Sequence, residues 1–203
     1  MIAVDDDLDI IDSEHLYTAR PYQADLFRAK FEEKKRRFAV VWHRRAGKDK
    51  TYWQIAVAAT QERVGSYWYM LPKSTQARKA IWKGRGKDGL RFLDHIPREI
   101  IASVNNTEMY IEFTNGSMLY VLGSDSYNHL VGNNPLGVVY SEWSLCDPAS
   151  WDYIRPILAE NGGWAMFCYT PRGRNHGYTL LENAKKFPDR WYVSVLTAEE
   201  TRD

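Results

Sequence analysis

Residues 38–51 read FAVVWHRRAGKDKT, and this stretch decides the predicted fold. Its first five residues are apolar, which is typical of a strand buried on both faces of a sheet. Helix-forming residues predominate over 48–63, so a helix is predicted there. Between the two, Gly47 lets the backbone approach a bound anion, and the first amides of the helix present the positive end of its dipole. The stretch therefore predicts a strand, an anion-binding loop over residues 43–50 and a helix.

The loop matches the phosphate-loop pattern G-x-x-x-x-G-K-[ST] only in part. Gly47 and Lys48 match it, whereas Trp42 stands at the first glycine and Asp49 at the Ser/Thr position. Lys48 is predicted to contact the β- and γ-phosphates of a nucleotide. A basic strand-to-helix turn without a ligand is the alternative that this stretch alone leaves open.

A second apolar run, residues 136–140, is followed by Ser141 and Glu142. A nucleotide hydrolase needs a strand beside the phosphate loop, whose end carries a metal-binding group and often a Glu that orients the attacking water. Glu142 fits the second role, and Ser141 stands where the metal-binding Asp is expected. For Glu142 alone, a solvated residue at a strand end is the alternative.

Two further polar residues fit a nucleotide site. Thr170 ends the apolar run 164–169, and at the tip of a third strand it can sense the γ-phosphate. Gln23 lies about 20 residues before the loop, and its amide can donate to and accept from adenine. An exposed helix residue is the alternative for Gln23.

The rest of the chain alternates apolar strands with helical segments, which predicts an α/β fold with a mainly parallel sheet. Asn115-Gly116 between two β-rich runs predicts a hairpin, and Pro156 predicts a kink or break in its helix. The glycine-rich segment Gly84–Gly89 is predicted to be an exposed loop. Further strands are predicted over 66–71, 109–113, 117–122 and 191–196, and further helices over 21–34, 74–82, 148–160 and 176–186.

Composition limits the class of protein. The 203 residues suffice for one domain, and 44% hydrophobic with 26% charged residues excludes a wholly disordered chain. No apolar run is long enough to predict a membrane span, and the start MIAVDDDLDI lacks the pattern of a secretory signal. Two distant cysteines, Cys146 and Cys168, exclude a disulfide framework or a four-cysteine zinc site and predict a reducing compartment.

The net charge of +1 conceals a strong asymmetry. Residues 1–19 hold six acids and no Lys or Arg, so an acidic, flexible arm is predicted there. Residues 20–95 hold 19 bases and 7 acids, whereas residues 96–203 hold 8 bases and 13 acids. The basic segment predicts a polyanionic partner, either nucleotide phosphates or nucleic acid. A solvated charged face is the alternative.

Six motifs in order resemble the ATPase domain of a tailed-bacteriophage large terminase. They are RPYQ, HRRAGKDKT, SYWYMLPKSTQARKAIW, YIEFTNGSMLYVLGSD, LGVVYSEW and FCYTPRGRNHGY. The resemblance covers about residues 20–197. It implies a three-layer P-loop NTPase fold of the additional-strand, catalytic-Glu (ASCE) type, with a mainly parallel central sheet and an added β-hairpin. It also implies a motor that uses ATP to move double-stranded DNA into a capsid.

The resemblance assigns roles to individual residues. Gln23 would contact adenine, Arg44 would act on the γ-phosphate in cis, Glu142 would be the catalytic carboxylate, and Thr170 would couple hydrolysis to movement. Lys48 would serve both binding and catalysis. The implied nucleotide-binding set is Gln23, His43, Arg44, Arg45, Ala46, Gly47, Lys48, Asp49 and Lys50.

The departures Asp49 and Ser141 concern the metal. The usual loop offers Mg²⁺ a neutral hydroxyl and the usual second strand offers a carboxylate, whereas here the carboxylate is on the loop. We predict that the two residues exchange roles, because Mg²⁺ accepts one carboxylate plus waters. The alternative is that Asp49 merely suits the helix dipole and Ser141 is a spacer.

The resemblance also implies partners. They are ATP, Mg²⁺, double-stranded DNA, the portal protein and the small terminase subunit, in a ring on the portal or as a monomer in isolation. It implies no membrane association and a location in the host cell cytoplasm, outside the mature virion. Within the basic segment, Arg85 is the candidate arginine finger in trans. Large terminases carry a separate nuclease domain that is not visible here, so residues 20–203 are predicted to be the ATPase domain, without nuclease activity.

Three other functions stay open. A superfamily 2 helicase needs a second RecA-like domain, for which 203 residues leave no room. A nucleic-acid-binding module with an inactive phosphate loop would account for the missing first glycine and the missing strand Asp. A small-molecule kinase would need a substrate lid, and none is evident in the sequence.

Overall fold

The computed structural model describes residues 9–10, 17–130, 132 and 134–201, with side chains from residue 17 onward except 128–130. Most of the predicted acidic arm lies outside this range. The described part begins with two short strands, β1 (Asp9–Ile10) and β2 (Tyr17–Thr18), which pair antiparallel.

One eight-stranded sheet organises the remaining chain. Six of its strands are parallel neighbours, and two at one edge are antiparallel. Their spatial order is β10-β3-β9-β8-β4-β7-β6-β5. The strands are β3 (Arg37–Trp42), β4 (Ser66–Leu71), β5 (Ile101–Asn105), β6 (Tyr110–Phe113), β7 (Met118–Gly123), β8 (Pro135–Ser141), β9 (Trp164–Tyr169) and β10 (Trp191–Leu196).

Helices cover both faces of the sheet. They are α1 (Pro21–Phe31), α2 (Lys48–Glu62), α3 (Ser74–Ala77), α4 (Ala149–Glu160) and α5 (His176–Lys185). Because successive side chains of a strand point to opposite faces, β3 contributes Val40 and Trp42 to one core and Ala39 and Val41 to the other. The first core contains α1, α2 and α3, and the second contains α4 and α5. The predicted three-layer α/β architecture with a mainly parallel sheet is therefore confirmed.

The predicted hairpin is present as β6 and β7, joined through Asn115 and Gly116, whose φ of 86° needs a glycine. The helices predicted over 148–160 and 74–82 are both present. Pro156 lies inside α4 without ending it. The helix predicted over 74–82 is α-helical only as α3, and Arg78–Trp82 continues it as a single π turn.

The sequence failed to predict β5, the edge strand that pairs antiparallel with β6. No helix among the described residues is long and apolar enough to cross a membrane.

Parallel strands bring their carboxyl ends to one edge of a sheet, where α/β proteins bind ligands. At this edge β3 leads into the phosphate loop, β8 into Glu142 and β9 into Thr170. Strand β9 lies between β3 and β8 and pairs with both, in agreement with the additional strand of the predicted ASCE type. Thr170 therefore follows the strand next to the loop, and Glu142 follows the strand beyond it.

Candidate active site

The phosphate loop has a backbone that only certain residues tolerate. Arg45 and Gly47 both have φ of 71°, in the left-handed region. A Cβ atom on Gly47 would lie 2.8 Å from Gln23 Nε2. Glycine is therefore favoured at position 47 by its backbone angle and, more specifically, by the space that Gln23 leaves, and α2 begins at the next residue, Lys48.

Gln23 holds this loop from α1. Its Nε2 donates to the Ala46 carbonyl over 2.9 Å, and its Oε1 accepts from Arg20 N over 3.0 Å and from Tyr17 OH over 3.2 Å. The side chain is buried, and the protein uses both ends of the amide. The adenine contact that the sequence suggested for Gln23 stays a prediction.

Lys48 joins the three strand ends into one cluster. Its Nζ donates to Glu142 Oε1 and to Thr170 Oγ1, each over 2.6 Å. The Lys48 side chain is only 7% exposed and that of Glu142 22%, so the ion pair is largely shielded from water. Lys48, from the loop, thus contacts directly the two residues that the sequence placed at the ends of two strands.

Glu142 is held in an uncommon backbone conformation, with φ of 58° and ψ of 45°. Such left-handed geometry in a residue other than glycine is costly and is found often at functional sites. Its second carboxylate oxygen, Oε2, is buried and has no hydrogen-bond partner within the described structure. A buried acceptor without a partner suits a site that a ligand or water completes.

Asp49 lies beside this cluster, one residue into α2. Its Oδ1 accepts from Ser141 Oγ over 2.7 Å and from Tyr69 OH over 3.3 Å. Burial raises the pKa of the Asp49 carboxyl, and the hydrogen bond from Ser141 partly offsets this. The predicted metal residues Asp49 and Ser141 are therefore in direct contact.

The other cations of the loop differ in their surroundings. Arg44 and Arg45 are exposed, and their side chains make no hydrogen bond or ion pair with any residue that the structure describes. His43 contacts Thr201 Oγ1 through Nε2 over 2.5 Å. Lys50 pairs with Asp88 Oδ2 over 3.0 Å. The two arginines are thus available to a ligand.

The segment after β9 is tied to the segment after Glu142. Asn175 caps α5 by accepting from Gly177 N over 2.9 Å, and it donates to the Ser144 carbonyl over 3.3 Å. His176 Nε2 is 2.7 Å from the Trp143 carbonyl oxygen. These contacts connect the residues next to Thr170 with those next to Glu142, and the coupling role of Thr170 stays a prediction.

A second basic region lies next to the hairpin edge of the sheet. An open cavity of about 720 Å³, here named the cationic cavity, is lined by Arg78, Trp82, Lys83, Arg85, Arg91, Asn106 and Thr107. Arg85 donates to the Gly89 carbonyl over 2.7 Å, and the neighbouring Asp88 anchors this loop to Lys50. The loop 84–89 is exposed, as predicted, and it is linked to the phosphate loop of its own chain.

Sequence reasoning missed three residues of this region. Tyr69 lies within an apolar strand and gave no polar signal, and Asp88 reaches Lys50 only through tertiary folding. Asn175 was recognisable, since Asn directly before a helical run is a common N-cap.

The donors at the site suit a nucleotide with Mg²⁺. No group of three His, Cys, Asp or Glu residues forms a metal site in the described part of the chain. Mg²⁺ needs fewer protein ligands, because it keeps several waters and is held with substrate phosphates by one or two carboxylates. Asp49 Oδ2 makes no hydrogen bond to a described residue, so one carboxylate oxygen is left for a cation.

No protein-family model matches the sequence, and no curated protein does. Solved structures do share its fold. The ATPase domain of the Thermus phage P74-26 large terminase is 19% identical, with a TM-score of 0.65, and the match covers 81% of this chain and 70% of that one. The large terminase of the thermophilic bacteriophage D6E is 15% identical in its complexes with ADP and with ATP-γ-S, with TM-scores of 0.66 and 0.65.

The two D6E matches cover 89% of this chain and 46% or 45% of the D6E chain, so this chain spans less than half of that protein. At this identity the comparison establishes the fold. The chain has the fold of the ATPase domain of phage large terminases.

Proposed function

We propose that this chain is an ATP-hydrolysing motor domain that moves double-stranded DNA. The observation that carries the proposal is the contact of Lys48 with both Glu142 and Thr170 at the carboxyl edge of a terminase-type sheet. The D6E large terminase was solved with ADP and with ATP-γ-S, which supports nucleotide binding by this fold.

ATP binds with its phosphates at the start of α2, where the first amides and the helix dipole favour negative charge. Lys48 then exchanges the Glu142 carboxylate and the Thr170 hydroxyl for phosphate oxygens. Arg44 and Arg45, which are free of other side-chain partners in the described structure, add positive charge at the phosphates. Nucleotide binding thereby separates Lys48 from Glu142.

Glu142 performs the chemical step. Once Lys48 no longer contacts Glu142, both carboxylate oxygens of Glu142 are available. One of them accepts the proton of the water that attacks the γ-phosphate. Its left-handed backbone fixes the direction of the side chain. Thr170 loses its bond to Lys48 at the same time, so its position reports whether the γ-phosphate is present.

Asp49 and Ser141 are the residues that would hold Mg²⁺. When bound, Mg²⁺ neutralises the charge that develops on the phosphates during transfer.

DNA binds at the cationic cavity in this proposal. Lys83 and Arg85 are exposed there, and neither is paired with a carboxylate of the described structure. Exposed cations attract the phosphate backbone without reading its sequence. This activity would take place in the host cytoplasm, in a ring of subunits that assembles on a phage portal with the small terminase subunit. Arg85 stays the candidate arginine finger in trans.

The proposal is tested with Lys48→Ala, compared with Lys186→Ala, which replaces an exposed lysine just after the end of α5. ATP turnover and binding of a fluorescent ADP analogue are measured for both variants and the parent. Lys48→Ala should weaken nucleotide binding and abolish turnover, while Lys186→Ala matches the parent. Nucleotide binding without turnover in the parent, at any DNA concentration, would instead support a binding module with an inactive loop.

A further inference from the structure

Three residues on three elements form a unit around one carboxylate. Asp49 is on α2, Ser141 ends β8, and Tyr69 lies on β4 between β8 and β7. Ser141 Oγ and Tyr69 OH both donate to the same oxygen of Asp49, Oδ1, over 2.7 Å and 3.3 Å. Tyr69 OH is also 3.4 Å from the Asp49 carbonyl oxygen, so it contacts both the side chain and the backbone of this residue.

This arrangement leaves the other oxygen, Oδ2, without a hydrogen bond to any described residue. A carboxylate with one oxygen anchored by two hydroxyls has little rotational freedom, so the free oxygen keeps a fixed direction. Glu142 Oε2, a buried oxygen without a partner in the described chain, belongs to the residue directly after Ser141. Asp49 at the start of α2 and Glu142 after β8 therefore each have one carboxylate oxygen without a hydrogen bond to a described residue.

We propose that Asp49, Ser141 and Tyr69 form a divalent-cation unit in which Asp49 is the charged ligand, Ser141 supplies the hydroxyl, and Tyr69 positions the carboxylate. The inference rests on the proposed nucleotide site and goes further by naming how the chain holds the cation. The carboxylate comes from the helix and the hydroxyl from the strand, and the hydroxyl of the buried tyrosine stabilises the carboxylate at the first turn of α2.

Physical chemistry supports this division of roles. A hard cation such as Mg²⁺ prefers oxygen ligands, and one carboxylate completed by phosphate oxygens and waters suffices. Hydrogen bonds to the anchored oxygen orient the ligand, and losing such a supporting partner typically lowers metal affinity about 10- to 100-fold. Tyr69 is fully buried, so its hydroxyl is held in place by packing.

The test measures the dissociation constant of a fluorescent ADP analogue twice, with Mg²⁺ and with chelator, and takes the ratio of the chelator value to the Mg²⁺ value as the cation dependence. Asp49→Asn should lower this ratio by roughly 100-fold and Tyr69→Phe by about 10-fold, while binding in chelator changes little. The affinity for Mn²⁺ in the presence of ADP is measured from the electron paramagnetic resonance signal of the free ion. This affinity should fall in the same order, most in Asp49→Asn and less in Tyr69→Phe.

Tyr67→Phe is the matched control, because Tyr67 lies two residues earlier on β4 and its hydroxyl donates to the Arg63 carbonyl instead. It should keep the parental ratio. The exchange of the carboxylate and the hydroxyl between the loop and the strand is tested by two variants. Asp49→Thr should lose cation dependence, and Asp49→Thr with Ser141→Asp should regain part of it.

A parental ratio in Asp49→Asn, or equal loss in Tyr69→Phe and Tyr67→Phe, would overturn the inference. A parent that binds the analogue equally well with Mg²⁺ and with chelator would also overturn it, but would leave the nucleotide site intact. A parent that binds no nucleotide under either condition would overturn the proposed function as well. Since Tyr69→Phe removes a single oxygen atom, its result is available even if substitutions of Asp49 impair folding.

Discussion

Lys48 at the phosphate loop and Lys83 in the cationic cavity belong to the same basic segment of the chain, yet their surroundings differ. Lys48 is almost completely buried and bonded to Glu142 and Thr170. Lys83 is exposed, and its side chain makes no hydrogen bond or ion pair with a described residue. A count of charges along the sequence does not distinguish the buried lysine from the exposed one.

The difference follows from desolvation. A buried charge is tolerated only with an opposite charge and good hydrogen bonds, so removing one partner of such a pair is costly. An exposed cation keeps its water and contributes little to folding, but it stays available to a polyanion and is sensitive to salt. We therefore expect Lys48 to act through fixed short-range contacts and the cations of the cationic cavity to act through long-range attraction.

The largest expected effect comes from Glu142→Gln at the buried edge. If Glu142 is the general base, as proposed, its removal should lower ATP turnover by roughly 100-fold or more. Nucleotide affinity should stay the same or rise, because Lys48 no longer has a carboxylate that competes with phosphate. Turnover and analogue binding are measured together, with Glu160→Gln, an exposed glutamate at the end of α4, as control. Parental turnover in Glu142→Gln would refute the role of this residue.

A smaller effect is expected when the cationic cavity and its loop are reversed in charge. Arg85→Glu with Lys87→Glu should weaken binding of a DNA duplex and make its salt dependence shallower, by about 1 for each phosphate that the variant no longer binds. The same change in charge at Lys185 and Lys186, exposed at the end of α5, should leave the slope as in the parent.

ATP turnover of the assembled ring measures the candidate trans role of Arg85 in the same variants. If neither DNA affinity nor ring-assembled turnover changes, the cationic cavity has no part in the motor.

The smallest effect concerns the backbone of the loop. Gly47→Ala and Gly173→Ala both place a side chain at positive φ, 71° and 67°, which costs about 1–2 kcal/mol. At Gly173 the new Cβ meets no atom within 4 Å, whereas at Gly47 it pushes on Gln23 Nε2. Gly47→Ala should therefore cost about 1 kcal/mol more, the contribution of a typical hydrogen bond.

Denaturant unfolding of the two glycine variants gives this difference directly. Equal losses of unfolding free energy would mean that Gln23 does not brace the loop.

Strands buried on both faces were the most predictable part of the fold. The sequence predicted β4 and β9 with their observed bounds, because mainly apolar runs of this length are typical of buried strands. The bounds of β10 were also predicted, although this edge strand is partly exposed. Strand β5 was missed because most of its side chains are exposed, so it carries no apolar pattern. The position of β9 between β3 and β8 agrees with the additional-strand type that the resemblance implied, whereas the apolar patterns of the strands alone do not specify their order.

The candidate site was also predictable only in part from the sequence. Lys48, Glu142 and Thr170 were found because each follows an apolar strand at the edge where such ends meet. Tyr69 was not found, because a tyrosine within a strand is usually part of the core, and only the folded chain places its hydroxyl against Asp49. The sequence motifs thus indicated the candidate catalytic residues, whereas the residues that position them could be identified only from the folded structure.

The most direct test of the central claim is a crystal structure of this protein with a non-hydrolysable ATP analogue and Mg²⁺. We predict phosphates at the amides that begin α2, with Lys48 Nζ on a phosphate oxygen and outside hydrogen-bond distance of Glu142. We also predict the metal next to Asp49. A nucleotide bound elsewhere, or Lys48 still paired with Glu142 while phosphates occupy the loop, would contradict this mechanism.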